Sequence, residues 1–221
     1  MSEHQFQLQH CPVCRDATPQ PFMKVSLHSY WKCAYCEARF LEPKNRLSHE
    51  EEIRHYQTHE NDAEDLGYRV FLSKILRPLL TKIEGLSEGL DYGSGPSSAL
   101  AKMLVEQGFT MSLYDPFFKP DLKVFDQTFD FITCTETAEH FYNPAQEFDR
   151  LNSLLRPGGW LGVMTTFQTD DERFEHWRYR RDPTHVVFYR PQTFEIIADQ
   201  RGWSCEIPCK DVALMQKPCS T

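Results

Sequence analysis

From residue 86 onward, short apolar runs alternate with segments whose apolar residues recur at helical spacing. The apolar runs predict strands at 89–92, 110–114, 129–134 and 160–165, and two final short strands at 203–207 and 212–216. The segments between them predict helices over 97–107, 144–155 and 191–201. Elements that alternate in this way form a parallel sheet with helices on both faces. We therefore expect an α/β fold on a doubly wound, mostly parallel sheet.

The residues before this sheet carry a different pattern, polar at first and then amphipathic. Ser48 has the character of a helix N-cap, and Glu51 three residues later completes a capping box. A polar helix is therefore predicted as far as about residue 58. A second helix is predicted over 68–83, where Pro78 is expected to kink or split it.

The composition is that of an ordinary globular protein. Of 221 residues, 40% are hydrophobic and 25% are charged, which allows one core with a small appendage. No stretch approaches the run of about 18 apolar residues that a membrane span needs, so no membrane partner is expected. Residues 1–9 are polar and lack the apolar core of a secretion signal, so we expect a cytoplasmic protein.

The net charge of −8 is unevenly distributed along the chain. Residues 1–46 hold 6 Lys and Arg against 4 Asp and Glu, a balance of +2, whereas the remaining residues hold 18 against 28, a balance of −10. An acidic body repels a phosphate backbone, so the charge argues against nucleic acid as a partner.

Four of the eight cysteines, Cys11, Cys14, Cys33 and Cys36, form two Cys-x2-Cys pairs separated by 18 residues. Two such turns aim four thiolates at one point and complete a closed, tetrahedral and therefore structural zinc site. We expect a small zinc-ribbon-like module whose folding depends on Zn²⁺. Two disulfides are the alternative, but nothing in the sequence points to an oxidising compartment.

The end of the first sheet strand is rich in glycine. Gly93 and Gly95 let the backbone approach a ligand closely and expose N–H groups at the start of the next helix. Asp115 ends the second strand, where an acid can accept hydrogen bonds from both hydroxyls of a ribose. This arrangement predicts a cofactor at the carboxyl ends of the strands, and by itself it fits a nicotinamide cofactor and S-adenosylmethionine equally.

Three further segments together are typical of one enzyme family. They are GLDYGSGP at 89–96, FDFI at 129–132 followed by Glu136, Glu139 and His140, and LLRPGGWL at 154–161. These segments resemble the motifs of class I S-adenosylmethionine-dependent methyltransferases. Ser98 stands where a dinucleotide-binding fold carries its third glycine, which favours this family over dehydrogenases.

The resemblance covers about residues 86–218 and implies a seven-stranded, Rossmann-like sheet. The chain then divides into a zinc-ribbon-like module at 1–46, a helical cap or linker at 47–85, and a methyltransferase domain at 86–221 with a substrate-lid insert near 167–190. The cofactors expected are S-adenosylmethionine and a structural Zn²⁺.

The resemblance also assigns cofactor contacts to particular residues. It implies that Asp91, Gly93 and Gly95 cradle the methionine part and that Asp115 holds the ribose hydroxyls. It further implies that the adenine and the rest of the cleft are flanked by Pro116, Phe117, Thr135 and Glu136. Ahead of the sheet lies a region that often closes over the cofactor in this family, with Tyr56, His59, Asn61, Tyr68 and Arg69. Arg69 is expected to pair with the methionine carboxylate.

Two histidines are candidates for the methyl acceptor's side of the reaction. His140 follows the fourth-strand motif, and His185 lies in an Asp-Pro-Thr-His segment of the lid insert. Histidine is suited to take a proton near neutral pH, so either is a candidate catalytic base, although both could also serve to hold loops together. Four arginines of the insert could bind an anionic group of the acceptor or form a solvated face: Arg173, Arg178, Arg180 and Arg181.

Three functions remain open at this point. The first is methyl transfer to a small-molecule or sugar-type acceptor. The second is an RNA methyltransferase that uses the zinc module for RNA contact, against which the acidic body counts. The third is a zinc-containing regulatory protein that keeps the cofactor site without turnover. The oligomeric state is open as well.

Overall fold

The computed structural model describes residues 9–56 and 63–219. The N-terminal part contains β1 (Gln20–Val25), β2 (His28–Lys32) and β3 (Arg39–Leu41). Two helices follow, α1 (His49–Tyr56) and α2 (Leu66–Leu80). The remaining elements, in chain order, are β4 (Glu88–Tyr92), α3 (Ala99–Glu106), β5 (Thr110–Tyr114), β6 (Phe129–Thr135), α4 (Pro144–Leu154), β7 (Leu155–Met164), β8 (Val187–Phe188), α5 (Pro191–Asp199), β9 (Ser204–Cys209) and β10 (Val212–Gln216).

The large sheet has the order β5-β4-β6-β7-β10-β9. Strands β5, β4, β6 and β7 are parallel, whereas β10 runs antiparallel to both β7 and β9. The strand order reverses between β4 and β6, because the chain moves outward from β4 to β5 and then returns to the other side of β4. Ligands of doubly wound sheets bind at such a switch point, outside the carboxyl ends of the strands.

The expected seven-stranded sheet is a six-stranded sheet in the described residues. The missing strand would lie beyond β5, between Tyr114 and Phe129. Residues 115–128 hold an isolated bridge from Asp115 to Lys119 and a short 3₁₀ turn over Leu122–Asp126. A further parallel strand needs a crossover of a dozen or more residues on each side, and this connection is too short for that.

Helices cover both faces of the sheet. On one face, apolar residues of α2 and α3 such as Leu72, Ile75 and Leu104 are packed in one cluster with Phe131 and Leu214 of the strands. On the other face, α4 and α5 bury Phe148, Leu151, Phe194 and Ile197. Two buried layers around one sheet explain why the central strands are mostly apolar.

The helices ahead of the sheet begin and end where local chemistry places them. Ser48 Oγ accepts from the Glu51 N–H, and the Glu51 carboxylate accepts from the Ser48 N–H at 2.9 Å, which is the expected capping box. Pro78 does not split α2, because it lies in the last turn, two residues before the helix ends at Leu80. The lost N–H there removes one hydrogen bond at the end of the helix and not in its middle.

The N-terminal part forms a second, antiparallel sheet of order β1-β2-β3-β8. Its fourth strand, β8, comes from the segment after β7, so Phe40 pairs with Val187 and Arg39 with Phe188. The apolar residues of this part are packed in the same buried cluster as α4 and α5. The expected appendage therefore shares its core with the large sheet. Within the described ranges, no helix combines the length and the apolar character that crossing a bilayer requires.

Candidate active site and cysteine cluster

A cavity of about 640 Å³ lies at the carboxyl ends of β4, β5 and β6. Cavities of roughly 300–1,000 Å³ are typical of small-molecule sites. Among the residues that line it are ten of those expected to contact cofactor or acceptor: Asp91, Gly93, Gly95, Asp115, Pro116, Phe117, Thr135, Glu136, His140 and His185. The sequence motifs, which are spread over almost a hundred residues of the chain, thus converge on one cleft.

The loop after β4 is held by hydrogen bonds that leave its glycines at the cavity surface. Gly93 and Gly95 have φ values of 81° and 60°, a region that favours glycine. A Cβ on Gly93 would lie 2.2 Å from a side-chain atom of Thr137, so the cradle has no room for one. Asp91 is buried beneath the loop, where it accepts from Ser98 Oγ at 2.6 Å and Thr133 Oγ1 at 2.5 Å. Asp91 therefore holds the floor of the loop.

Asp115 links the loops that follow β4 and β5. Its Oδ2 accepts from the Gly95 N–H at 2.9 Å, and its Oδ1 accepts from the N–H groups of Phe117 and Phe118 at 2.8 and 3.0 Å. A carboxylate has about four acceptor positions, so these three bonds leave about one for a ligand hydroxyl. The residue thus shapes the loops as well as lining the cleft.

The aromatic ring of Phe117 forms one wall of the cavity. It stacks on His49 with ring centroids 5.2 Å apart and packs at 5.0 Å from the ring of Tyr56, both from α1. Helix α1 therefore covers this side of the cleft, as the sequence led us to expect for residues around Tyr56. His59 and Asn61, named with it, lie outside the described residues.

Three buried oxygen atoms at the cleft have no hydrogen-bond partner: Thr135 Oγ1, Glu136 Oε1 and Glu139 Oε2. Burial and the neighbouring Glu139 raise the pKa of Glu136 to about 9. Glu136 also has a positive φ of 48°, which is uncommon for a residue other than glycine. Orphaned acceptors beside buried carboxyls favour a ligand that is cationic and rich in hydrogen-bond donors.

His140 and His185 are neighbours, with ring centroids 4.8 Å apart. The Nδ1 of His140 lies 3.1 Å from the Thr184 carbonyl oxygen, and the Nδ1 of His185 lies 2.7 Å from the Tyr179 carbonyl oxygen. Burial lowers the pKa of His140, so its ring is neutral at neutral pH. The structure thus brings together the two candidate bases from the end of β6 and from the lid insert.

Sequence reasoning did not assign a role to Glu139, although it stands in the quoted motif directly before His140. Glu139 is fully buried, accepts a hydrogen bond from the Tyr179 hydroxyl, and has an oxygen 4.0 Å from His185 Nε2. Nor did sequence reasoning assign a role to Tyr179 of the insert. The adjacent Glu-His pair was the signal that could have identified this residue.

The structure does not bring Arg69 to the cleft. Its guanidinium pairs with Glu106 at the end of α3, and it is not among the lining residues. The four insert arginines in the described chain do not line the cavity either. Arg180 donates to the Tyr30 hydroxyl at 3.1 Å and to the Phe174 carbonyl at 3.1 Å, so it braces the insert against β2.

The four N-terminal cysteines form a second, separate cluster. Cys11 Sγ lies 3.7 Å from Cys36 Sγ, Cys14 Sγ lies 3.7 Å from Cys33 Sγ, and all four sulfurs lie within 4.8 Å of one another. A tetrahedron with metal–sulfur bonds of about 2.3 Å has edges of about 3.8 Å. The distances exceed the roughly 2.05 Å of a disulfide, and all eight cysteines are free thiols.

The cysteine module is joined to the cleft by a short run of backbone hydrogen bonds. The Leu41 N–H donates to the Val186 carbonyl at 2.8 Å, and the Val186 N–H donates to the Glu139 carbonyl at 2.8 Å. Strand β3 therefore fixes the residue that follows His185 and, through it, the backbone of Glu139.

A buried ion pair provides the second link between module and insert. Arg39 of β3 binds both oxygens of Asp171 at 3.0 and 2.8 Å, and Arg190 reaches the same carboxylate at 2.8 Å. Burial alone would raise the pKa of Asp171, but the two guanidinium groups outweigh it and the pKa lies below its ordinary value. The carboxylate is therefore charged at neutral pH and paired on both sides.

We expect Asp171→Ala to lower the free energy of unfolding by about 1–3 kcal/mol. The Arg39 side chain is 6% exposed and would lose its partner, while the 36% exposure of Asp171 reduces the roughly 3–5 kcal/mol typical of a fully buried pair. The matched control is Arg173→Ala, which removes an exposed pair with Asp170 and should cost less than about 0.5 kcal/mol. Urea denaturation measures both, and equal losses would contradict the role of Asp171.

Comparison with known proteins agrees with this fold. The methyltransferase domain family matches residues 63–206, which is more than half of the chain. No curated protein matches the chain. Among solved structures, the PH0226 protein from Pyrococcus horikoshii OT3 is similar at 15% identity with a TM-score of 0.52, covering 75% of this chain and 98% of that one.

A second similar structure is an O-methyltransferase family protein from Burkholderia thailandensis, at 15% identity and a TM-score of 0.50. The match covers 67% of this chain and 57% of the Burkholderia protein, so this chain corresponds to little more than half of that relative. At these sequence identities, the similarity to the two structures shows the fold alone. The chain belongs to the methyltransferase domain family.

Proposed function

We propose that this enzyme transfers a methyl group from S-adenosylmethionine to a small-molecule or sugar-type acceptor that carries no negative charge. The observation that carries the proposal is the cleft, in which the glycine loop, Asp115 and the pair His140 and His185 meet around one cavity of about 640 Å³. When bound, the cofactor supplies an electrophilic methyl carbon on a sulfonium, and the acceptor must be positioned in line with it.

The residues of the cleft fit this cofactor. The cradle at Gly93 excludes a side chain and so admits the methionine part, and Asp115 keeps an acceptor position for a ribose hydroxyl. Pro116 and Phe117 form the adenine wall. Thr135 and Glu136 line the same cleft with buried oxygen atoms that can accept hydrogen bonds from an ammonium group, and Asp91 adds a carboxyl group beneath the loop. Arg69 forms an ion pair with Glu106 and is therefore not proposed as the partner of the methionine carboxylate.

The charge of the cleft restricts the kinds of acceptor that can bind. Besides Glu136, whose raised pKa leaves it protonated at neutral pH, the cavity is lined by the acidic side chains of Glu52, Asp91, Asp115, Glu139, Glu147 and Asp182. The cationic side chain among the lining residues is Arg150, which pairs with Glu147 at 2.8 Å. A phosphate or carboxylate on the acceptor would be repelled, so a neutral polyhydroxylated or amino-bearing molecule fits best. RNA is disfavoured on the same ground.

We also propose that Cys11, Cys14, Cys33 and Cys36 hold a structural Zn²⁺. Support comes from the sulfur spacing and from the N–H groups of Val13 and Cys36, which approach Cys11 Sγ and Cys33 Sγ at 3.4 and 3.5 Å. The module at 1–46 then acts as a brace for the lid insert, residues 47–85 as the cap, and 86–221 as the catalytic domain. Eight unpaired thiols suit a reducing compartment, and we propose the cytoplasm.

Methyl transfer is tested with S-adenosylmethionine labelled in its methyl group and a fractionated metabolite extract. We expect label in a fraction of neutral or cationic small molecules. Label that appears in RNA instead would support the RNA methyltransferase alternative. Absence of label in every fraction, with the labelled cofactor still bound, would support a regulatory protein without turnover and overturn the proposal.

The cofactor cradle is tested by Gly93→Ala, which we expect to weaken S-adenosylhomocysteine binding by at least about 30-fold, or roughly 2 kcal/mol. The added methyl group would collide with Thr137 and fill the cradle. Gly108→Ala is the matched control, because Gly108 also has a positive φ, of 94°, but a Cβ there meets nothing within 4 Å. Calorimetry measures both affinities, and equal weakening would show that backbone strain alone is responsible.

A further inference from the structure

Glu139, His140 and His185 form a compact cluster on the wall of the cleft. One ligand atom from each lies within 4.8 Å of the others. Two imidazoles and one carboxylate are the donor set of many catalytic zinc sites and of nonhaem iron sites, in which further coordination positions stay open for water or substrate. Ligand atoms as far as 4.8 Å apart must close by up to about 1.5 Å to reach the roughly 3.3 Å spacing of a tetrahedral site.

The hydrogen bonds of the two histidines leave the correct nitrogens free. A carbonyl oxygen only accepts, so the Nδ1 atoms that face Thr184 and Tyr179 carry the protons. Each Nε2 therefore bears the lone pair. Metal-binding histidines usually donate their other ring N–H to an acceptor such as a backbone carbonyl, which fixes the tautomer and the orientation of the ring.

Glu139 gives an independent indication of a missing ligand. Its Oε1 accepts from the Tyr179 hydroxyl, but its Oε2 is buried without a hydrogen-bond partner, and the side chain has no exposed surface. His185 Nε2 is 4.0 Å from the carboxylate, too far for a direct hydrogen bond. A buried, unpartnered carboxylate oxygen is costly unless a cation reaches it.

We propose that Glu139, His140 and His185 bind a divalent transition-metal ion, with Zn²⁺ as the reference ion, on the wall of the cleft. The site is separate from the four-cysteine cluster and differs from it in being open to a ligand. Tyr179 is a positioning residue, since its hydroxyl orients Glu139 and its carbonyl orients His185.

If methyl transfer occurs as proposed, a metal at this site makes the oxygen of an acceptor hydroxyl the atom that is methylated. A coordinated hydroxyl loses its proton far more easily than a free one, because the cation stabilises the alkoxide. The proton passes to solvent water. The alkoxide electron pair forms the new O–CH₃ bond, and the pair of the breaking C–S bond remains on sulfur. The histidines then act as ligands, and no separate protein base is required.

The test is a Zn²⁺ titration of the full chain, followed by calorimetry and metal analysis. We expect the wild type to bind two equivalents, one at the cysteines and one at the new site. Glu139→Gln and His185→Asn should bind one tightly, because loss of a ligand costs more than the roughly 10–100-fold lost when only a residue that orients a ligand is changed. His176→Ala, an exposed histidine of the same insert, should still bind two.

Wild-type protein that binds a single equivalent would overturn the proposal, and so would full binding of a second equivalent by both variants. These outcomes are independent of turnover. Methyl transfer by a protein with no second metal would remove the metal site and leave the proposed function standing. Binding of two equivalents without any label transfer would leave the metal site standing and remove the proposed function.

Discussion

Cys36→Ser is expected to lose one equivalent of zinc and to lower the thermal midpoint by roughly 8–16 °C. Loss of a structural metal belongs to the mutations that cost more than about 4 kcal/mol, and 1 kcal/mol corresponds to about 2–4 °C for a chain of this size. Cys36 has no exposed surface and its sulfur lies 3.7 Å from that of Cys11. Its replacement leaves a buried site with three ligands.

The same variant should lose methyl transfer, although Cys36 does not line the cleft. Strand β3 carries the link, because Leu41 bonds Val186 and Val186 bonds Glu139, each at 2.8 Å. S-adenosylhomocysteine affinity should fall less than turnover, since the glycine loop is built by β4 and α3. A chelator strong enough to remove zinc from the wild type should reproduce the effect.

The control for this experiment is Cys219→Ser, which changes an exposed thiol outside the module. It should leave zinc content, thermal midpoint and turnover unchanged. Differential scanning calorimetry and metal analysis measure the first two quantities. A Cys36→Ser protein that keeps its zinc and its midpoint would show that the cluster is not a structural metal site.

Sequence pattern predicted the central elements closely because their burial is simple. The apolar run at 110–114 is β5, and the run predicted at 129–134 is β6, one residue longer. Parallel strands covered on both faces have no polar alternation to confuse the period. The strand count was wrong because it came from the family and not from residues 115–128, which are too few for another strand and its crossovers.

Pairing between distant segments could not be predicted from the sequence. Val187 and Phe188 form too short an apolar run to indicate a strand, and their partner β3 precedes them by more than 140 residues. Arg69 illustrates the same limit for side chains. Its position ahead of the sheet suggested the cofactor, but the partner within reach is Glu106, which the chain brings beside it through the packing of α2 on α3.

The cleft residues were more predictable, because motifs at strand ends meet wherever parallel strands lie side by side. What the motifs did not reveal is how each residue is engaged. Asp115 uses three acceptor positions for hydrogen bonds within its own loops, and Glu139 is oriented by a hydrogen bond from Tyr179 of the insert. The contacts of Asp115 depend on the conformation of its own loops and that of Glu139 on the conformation of the insert, and neither segment has a regular pattern.

His185→Ala is expected to lower kcat by about 10²–10⁴-fold, the range for removing a group that assists proton loss, with the acceptor identified by methyl labelling. The affinity for S-adenosylhomocysteine should stay within about threefold. In the proposed function, the Nε2 of His185 faces the acceptor, whereas the loop after β4 is held by Asp91 and Ser98. His140→Ala should behave alike, and His176→Ala should match the wild type.

His185→Asn separates chemistry from support. The asparagine amide can still donate to the Tyr179 carbonyl, which His185 Nδ1 reaches at 2.7 Å, but it has nothing in the place of Nε2. If Nε2 acts on the acceptor, directly or through a metal, His185→Asn loses as much kcat as His185→Ala. If the histidine only holds the lid, His185→Asn recovers most of the activity, and its role in the reaction is refuted.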